Sequence, residues 1–135
     1  MWTVLRRVTG FVADRWREGA ARSSVRRSNA CRVAITGSSA KSTTASLLAH
    51  ILAAEGKVQT MVQPRYVREI IGRIAGIEPD ADHFIAELSI GNPGHVRRVA
   101  RLLRPHIAIV TFIGIEHYAL YRSRQRIAAE KSEVV

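Results

Sequence analysis

Cysteine, aromatic residues and acidic residues are all scarce in this chain. Its one cysteine, Cys31, has no partner for an internal disulfide. That excludes a disulfide-stapled scaffold and fits a reducing cytosol, with Cys31 packing at the head of a strand. Aromatics make up 6% of the 135 residues, and they form no stacking set of the kind that holds single-stranded nucleic acid. No apolar run approaches the roughly 20 residues that span a bilayer. Near the N-terminus Arg6, Arg7, Asp14, Arg15 and Arg17 interrupt any signal-peptide core. Asp and Glu number 11 against 21 Lys and Arg, a net charge of +10. The excess is uneven, because residues 1–32 hold eight Arg against Asp14 and Glu18. The basicity therefore says little about what the core binds, and without a recognition motif it does not argue for nucleic acid.

What is present is a hydrophobic content of 47%, enough for one globular domain that buries roughly two-thirds of its surface. Residues 1–18 read as a basic amphipathic helix, with Val4, Leu5, Val8, Phe11, Val12 and Trp16 on one face. Such a helix suits docking on its own domain or on a partner, or peripheral contact with an anionic membrane surface. Residues 19–30, rich in Arg and Ser, read as a flexible linker, which sets residues 1–30 apart from a domain over 31–135. From there strand and helix patterns alternate. The expected strands are Cys31–Thr36, Val58–Val62, Phe84–Leu88 and Ile107–Ile113. The first helix, Ser42–Glu55, has Leu47, Leu48, Ile51 and Leu52 as its expected core face. A second follows Pro64, a third spans Pro93–Leu103, and the last runs from about Ser123 to the end. This alternation predicts an α/β fold, a parallel sheet with helices on both faces. Ligands of such sheets gather at the carboxyl ends of the strands.

After the first strand comes Thr36-Gly37-Ser38-Ser39-Ala40-Lys41-Ser42-Thr43. A Gly/Ser turn opening a helix presents backbone N–H groups and a positive helix end to an anion. Lys41 adds a full charge and Ser42 a hydroxyl that can ligate Mg²⁺. The blander alternative is a strand-turn-helix joint with Ser and Thr as helix caps. The general P-loop glycine six residues before the lysine is Ile35 here, and the one just before it is Ala40. If that position needs positive φ, alanine costs about 1 kcal/mol there. Glu87 closes the third strand, His117 follows the fourth, and Lys131 lies on the last helix. Together they place a carboxylate, an imidazole and an amine around the cradle, suiting a nucleotide phosphate and divalent cations.

In this order the pieces resemble the ATP-binding central domain of the Mur ligase family. The matching segments are Ile35–Thr43, Ala86-Glu87-Leu88, Asn92-Pro93-Gly94, Arg104-Pro105, Ile113-Gly114 with His117, and Ala129-Glu130-Lys131-Ser132-Glu133. The resemblance implies a P-loop-type fold with Gly37, Ser38, Ser39, Ala40, Lys41, Ser42 and Thr43 around ATP. It implies Mg²⁺ held by Ser42, Glu87, His117 and Lys131, the last as a carbamate. Lys41, Glu87 and Lys131 would be the catalytic residues. It implies a cytoplasmic ligase that joins a carboxylate to an amine through an acyl phosphate, either in peptidoglycan synthesis or on another carboxylate, as a poly-γ-glutamate-type synthetase does.

Two features depart from the family: Ala40 stands for its usual glycine, and Phe112 for its asparagine. The chain also stops four residues after Lys131. An ATP–Mg²⁺ half-site without ligase turnover of its own is therefore expected. A non-catalytic nucleotide-binding or regulatory module is the alternative. The expected partners are ATP, a carboxylate substrate, and either the remaining ligase domains or a second copy at an open sheet edge.

Overall fold

Apolar runs and amphipathic stretches alternate in space as they do in sequence. The computed structural model describes residues 2–89, 92–115 and 118–135, with side chains from residue 14 onward. In chain order the elements are α1 (Trp2–Arg27), β1 (Cys31–Thr36), α2 (Lys41–Leu52), β2 (Val58–Met61) and α3 (Val67–Ala75). There follow β3 (His83–Glu87), α4 (His95–Leu103), β4 (Ile107–Val110), α5 (Tyr118–Tyr121) and α6 (Arg124–Ser132). The strands form one parallel sheet in the order β2-β3-β1-β4. In register, Ile35 lies opposite Glu87 on one side and Ile109 on the other. The end of β3 thus stands beside the point where β1 turns into the cradle.

Successive strand residues face opposite sides of a sheet, and the core divides accordingly. Val33, Ile35 and Ile85 pack with Ala45 beneath α2. Ala34, Phe84 and Ala86 pack on the other side with Ala21, Ile74, Val99 and Ile127, drawn from α1, α3, α4 and α6. This is the expected α/β architecture with helices on both faces.

Three expectations need correction. Residues 19–30 are not a linker as far as Arg27, because α1 runs unbroken from Trp2 to Arg27. Its small residues are packing positions: Ala21 is fully buried, and Ser24 Oγ donates to Ile77 O at 3.2 Å. Small side chains let α1 approach α3 closely, and Arg is a good helix former. On α2, Leu47 and Ile51 are 60% and 64% exposed. Ala45, Leu48, Ala49 and Leu52 make the contact instead, so the apolar arc is wider than the sheet surface it covers. Finally, β4 stops at Val110 rather than Ile113, because Thr111 turns into the cradle. As the edge strand, it leaves Ile107 and Val110 exposed.

Candidate functional site

The cradle is shaped by two backbone positions that favour glycine. Gly37 has φ +148, and a Cβ there would stand 2.0 Å from Thr111 Oγ1. Thr111 fills that space and ties the turn down, its hydroxyl donating to Ser39 O at 2.6 Å. Ser38 N–H donates to Phe112 O at 2.6 Å, and Ser38 Oγ accepts from Gly114 N–H at 2.9 Å. The loop after β4 therefore clasps the turn after β1. Ala40, the N-cap of α2, is left-handed at φ 60 and makes no side-chain cap hydrogen bond. The capping alternative fails on this point, since neither Ser39 nor Thr43 takes the cap position. The first-turn N–H groups of α2 thus meet no capping side chain, the geometry that suits an anion.

Behind the cradle, Ser42 Oγ donates to Glu87 Oε2 at 2.8 Å. The same oxygen accepts from Gln63 N–H at 3.0 Å, from the loop after β2. Glu87 is buried, and these bonds satisfy its Oε2. Gln63 has φ 50, a turn that aims its N–H at the carboxylate. Three strand ends thus converge on one carboxylate. The fourth contribution comes from α6, where Lys131 is 1% exposed and its Nζ donates to Gly37 O at 2.6 Å.

Of the residues expected here, Gly37, Ser38, Ser39, Ala40, Lys41, Ser42 and Thr43 form the turn and the first turn of α2. Glu87 and Lys131 converge on it from β3 and α6. His117 lies outside the described residues, as does Glu116. Among the described residues there is no cluster of three His, Cys, Asp or Glu able to hold a metal. The oxygens of Ser42 and Glu87 do form a hard-donor pair, the kind Mg²⁺ takes together with nucleotide phosphates. Lys131 is a hydrogen-bond donor as it stands.

A cavity of about 390 Å³, lined by Ser38, Ser39, Phe112, Gly114, Ile115 and Arg124, opens beside the turn. Two contributors have no expected role from sequence: Thr111, and the backbone N–H of Gln63.

Comparisons with known proteins bear on the family and the fold. The Mur ligase middle domain matches residues 35–135. The UDP-N-acetylmuramoyl-tripeptide–D-alanyl-D-alanine ligase of Borreliella burgdorferi is 31% identical over 107 residues, 77% of this chain and 23% of that protein. The ligase of the same name from Treponema pallidum is 30% identical over 106 residues, 76% of this chain and 23% of that protein. The chain thus spans about a quarter of the length of these relatives. The MurF ligase of Thermotoga maritima, solved in complex with ADP, superposes with a TM-score of 0.82 at 22% identity, over 88% of this chain and 28% of that one. Motif order, sheet topology and family match coincide, and this chain belongs to the Mur ligase family, with residues 35–135 matching the family's middle domain.

Proposed function

We propose that this chain supplies the ATP–Mg²⁺ site of a MurF-like ligase that joins a carboxylate to an amine. The observation that carries this reading is the Ser42–Glu87 pair at 2.8 Å directly behind an uncapped, glycine-built turn. Lys41 would grip the β- and γ-phosphates, and the N–H groups of the turn and of early α2 would hold their oxygens. Ser42 and Glu87 would hold Mg²⁺, with His117 and a carbamylated Lys131 at a second ion. Mg²⁺ supplies charge neutralisation on the phosphates when bound. Carbamylation would leave one N–H on Lys131 Nζ, able to keep its bond to Gly37 O, and would add carboxylate oxygens as acceptors for the ion.

The reaction this serves has two steps. A carboxylate oxygen attacks the γ-phosphorus, the bond to ADP breaks, and an acyl phosphate forms. An amine then attacks the acyl carbon, loses a proton, and expels inorganic phosphate. Lys41 contributes by opposing the charge of the transferring phosphoryl group, and the rigid turn by holding it in line.

Calorimetry of the chain with Mg-ADP and Mg-ATP tests the reading. Saturable heat is expected, weakened about tenfold or more in Lys41→Ala, since a charge-assisted phosphate contact is lost. Absence of heat from the wild-type chain, or an unchanged titration in the variant, would overturn it.

One observation favours a second feature, peripheral contact with an anionic membrane. No described helix is long and apolar enough to cross a membrane, yet Trp16 is 76% exposed. Val25, nine residues and about two and a half turns further on, is buried against the domain. Trp16 therefore lies on the side of α1 turned away from its own domain, on a segment rich in arginine. One side of α1 docks on its own domain, and the Trp16 side is left for contact with lipid. Co-sedimentation with phosphatidylglycerol vesicles is expected to weaken in Trp16→Ser. Undiminished binding, or equal binding to neutral vesicles, would exclude this role.

A further inference from the structure

Glu130 precedes Lys131 on α6 and is 9% exposed. Both of its carboxylate oxygens are engaged on a different element. Oε2 accepts from Gly94 N–H at 2.9 Å and Oε1 from Val96 N–H at 3.1 Å. These groups open α4, whose N-cap, Gly94, is left-handed at φ 82 and has no side chain to cap with. A carboxylate from another helix does what an N-cap Asp would do, and it does so at the positive end of the helix dipole. The next residue, Lys131, sends its Nζ the other way, to Gly37 O at 2.6 Å. Neighbours on a helix diverge by roughly 100°, so fixing one of the pair fixes the direction of the other.

One other directional tether, Arg124 Nη2 to Ile113 O at 3.1 Å, is exposed and lies at the first residue of α6, about two turns from Lys131. Ile127 and Val134 pack in the core, which resists separation more than rotation. The Arg97–Glu133 ion pair at 3.0 Å is substantially exposed and contributes little. We propose that Glu130 is the positioning residue for Lys131, its two charge-assisted bonds to α4 setting the rotation of α6 that places Lys131 Nζ at the cradle. The same two bonds tie the first turn of α4 to α6. The importance of Lys131 to chemistry rests on the reading above, but its placement by Glu130 does not.

Acetylation of the full chain by a succinimidyl ester, followed residue by residue by mass spectrometry, tests this without nucleotide. Its three lysines are Lys41, Lys57 and Lys131. In the wild-type chain Lys131 is expected to react slowest, and Lys57, with its side chain 47% exposed, serves as the internal standard. Glu130→Ala is expected to raise the rate at Lys131 about tenfold relative to Lys57, since local opening governs access. Glu130→Asp keeps the charge but is one methylene too short to reach both N–H groups, and should give a smaller rise. Ile74→Val, a core change on α3, controls for general loosening. A wild-type rate at Lys131 in both Glu130 variants, or an equal rise in Ile74→Val, would overturn the proposal. Should Glu130→Ala fail to fold, Glu130→Asp against Ile74→Val decides it.

Discussion

Arg32 and Lys131 are both buried cations, one at each rim of the sheet, and their surroundings differ in kind. Arg32 lies at the rim where β1 begins. Its Nε donates to Leu103 O at 2.9 Å and to Arg104 O at 3.1 Å, and its Nη1 to Ala30 O at 3.2 Å. Two of these carbonyls end α4, where orphan acceptors and the negative end of the dipole favour a cation. Burial and the nearby Arg104 guanidinium lower its pKa from the ordinary value, but an arginine stays charged through any physiological range. Lys131 works at the opposite rim, against a turn built from Gly37 and the left-handed Ala40. One rim spends its buried charge on closing a helix. The other collects charge beside a cradle shaped for a phosphate.

The sharpest way to break this contrast is at Gly37. Gly37→Ala puts a methyl 2.0 Å from Thr111 Oγ1, so Thr111 must leave Ser39 O and the turn must open. A loss of about 3 kcal/mol is expected, in the upper range for overpacking, read from the urea unfolding midpoint. Nucleotide heat should vanish from whatever fraction remains folded.

The two cations then separate stability from binding. Arg32→Met leaves carbonyls at the end of α4 without their donor and should cost about 2 kcal/mol. Heat from Mg-ADP, per folded molecule, should be unchanged. Lys131→Met should differ in the second measurement. It too leaves a buried carbonyl, Gly37 O, without a donor and should cost at least about 1 kcal/mol, but Mg²⁺-dependent nucleotide binding per folded molecule should also shift. Equal behaviour of the two variants in both measurements would remove the distinction.

The structural rim was the harder one to read from sequence. Arg32 looked like the last of the eight N-terminal arginines, because a single sequence does not show that Leu103 and Arg104 return to it from 71 and 72 residues away. The cradle was legible because its parts are local: a β-strand period, a Gly/Ser turn, and a lysine opening a helix. Glu87 and Lys131 were legible through their order along the chain, since strand ends in a parallel sheet meet at one rim. Residues 19–27 were misread because Ala21 and Ser24 are small, and composition does not distinguish small residues in a linker from small residues at a close helix contact. Leu47 and Ile51 were misplaced because periodicity marks an apolar arc but not how much of it a narrow sheet can cover.

Ala40 offers a finer test of the phosphate rim. Its φ of 60 is a conformation glycine adopts freely, so Ala40→Gly should raise stability by up to about 1 kcal/mol. It also removes a methyl from the edge of the cradle, and Mg-ADP should bind more tightly. A gain in stability with no change in affinity would place the methyl clear of the phosphate path.

The smallest effect at neutral pH is expected at Tyr121, near the Glu130 clamp. Its hydroxyl is buried and, among the described residues, makes no hydrogen bond. Burial, with a lesser contribution from the Glu130 charge, raises its pKa to about 12 from 10. Folding therefore favours the neutral phenol, whose contribution is fully present below pH 10 and is lost as pH rises through 10 towards 12. At pH 8, Tyr121→Phe should match the wild type to within about 0.5 kcal/mol, since no bond is broken. Between pH 10 and 12 the wild type should lose stability that the variant keeps, and subtracting their urea midpoints cancels the titration of Tyr66, Tyr118 and the lysines. Parallel curves across that range would mean that Tyr121 ionises as easily folded as unfolded, and that the packing between α5 and the Glu130 carboxylate admits water. The rim that positions Lys131 would then be wetter, and its lysine less constrained, than the Glu130 clamp requires.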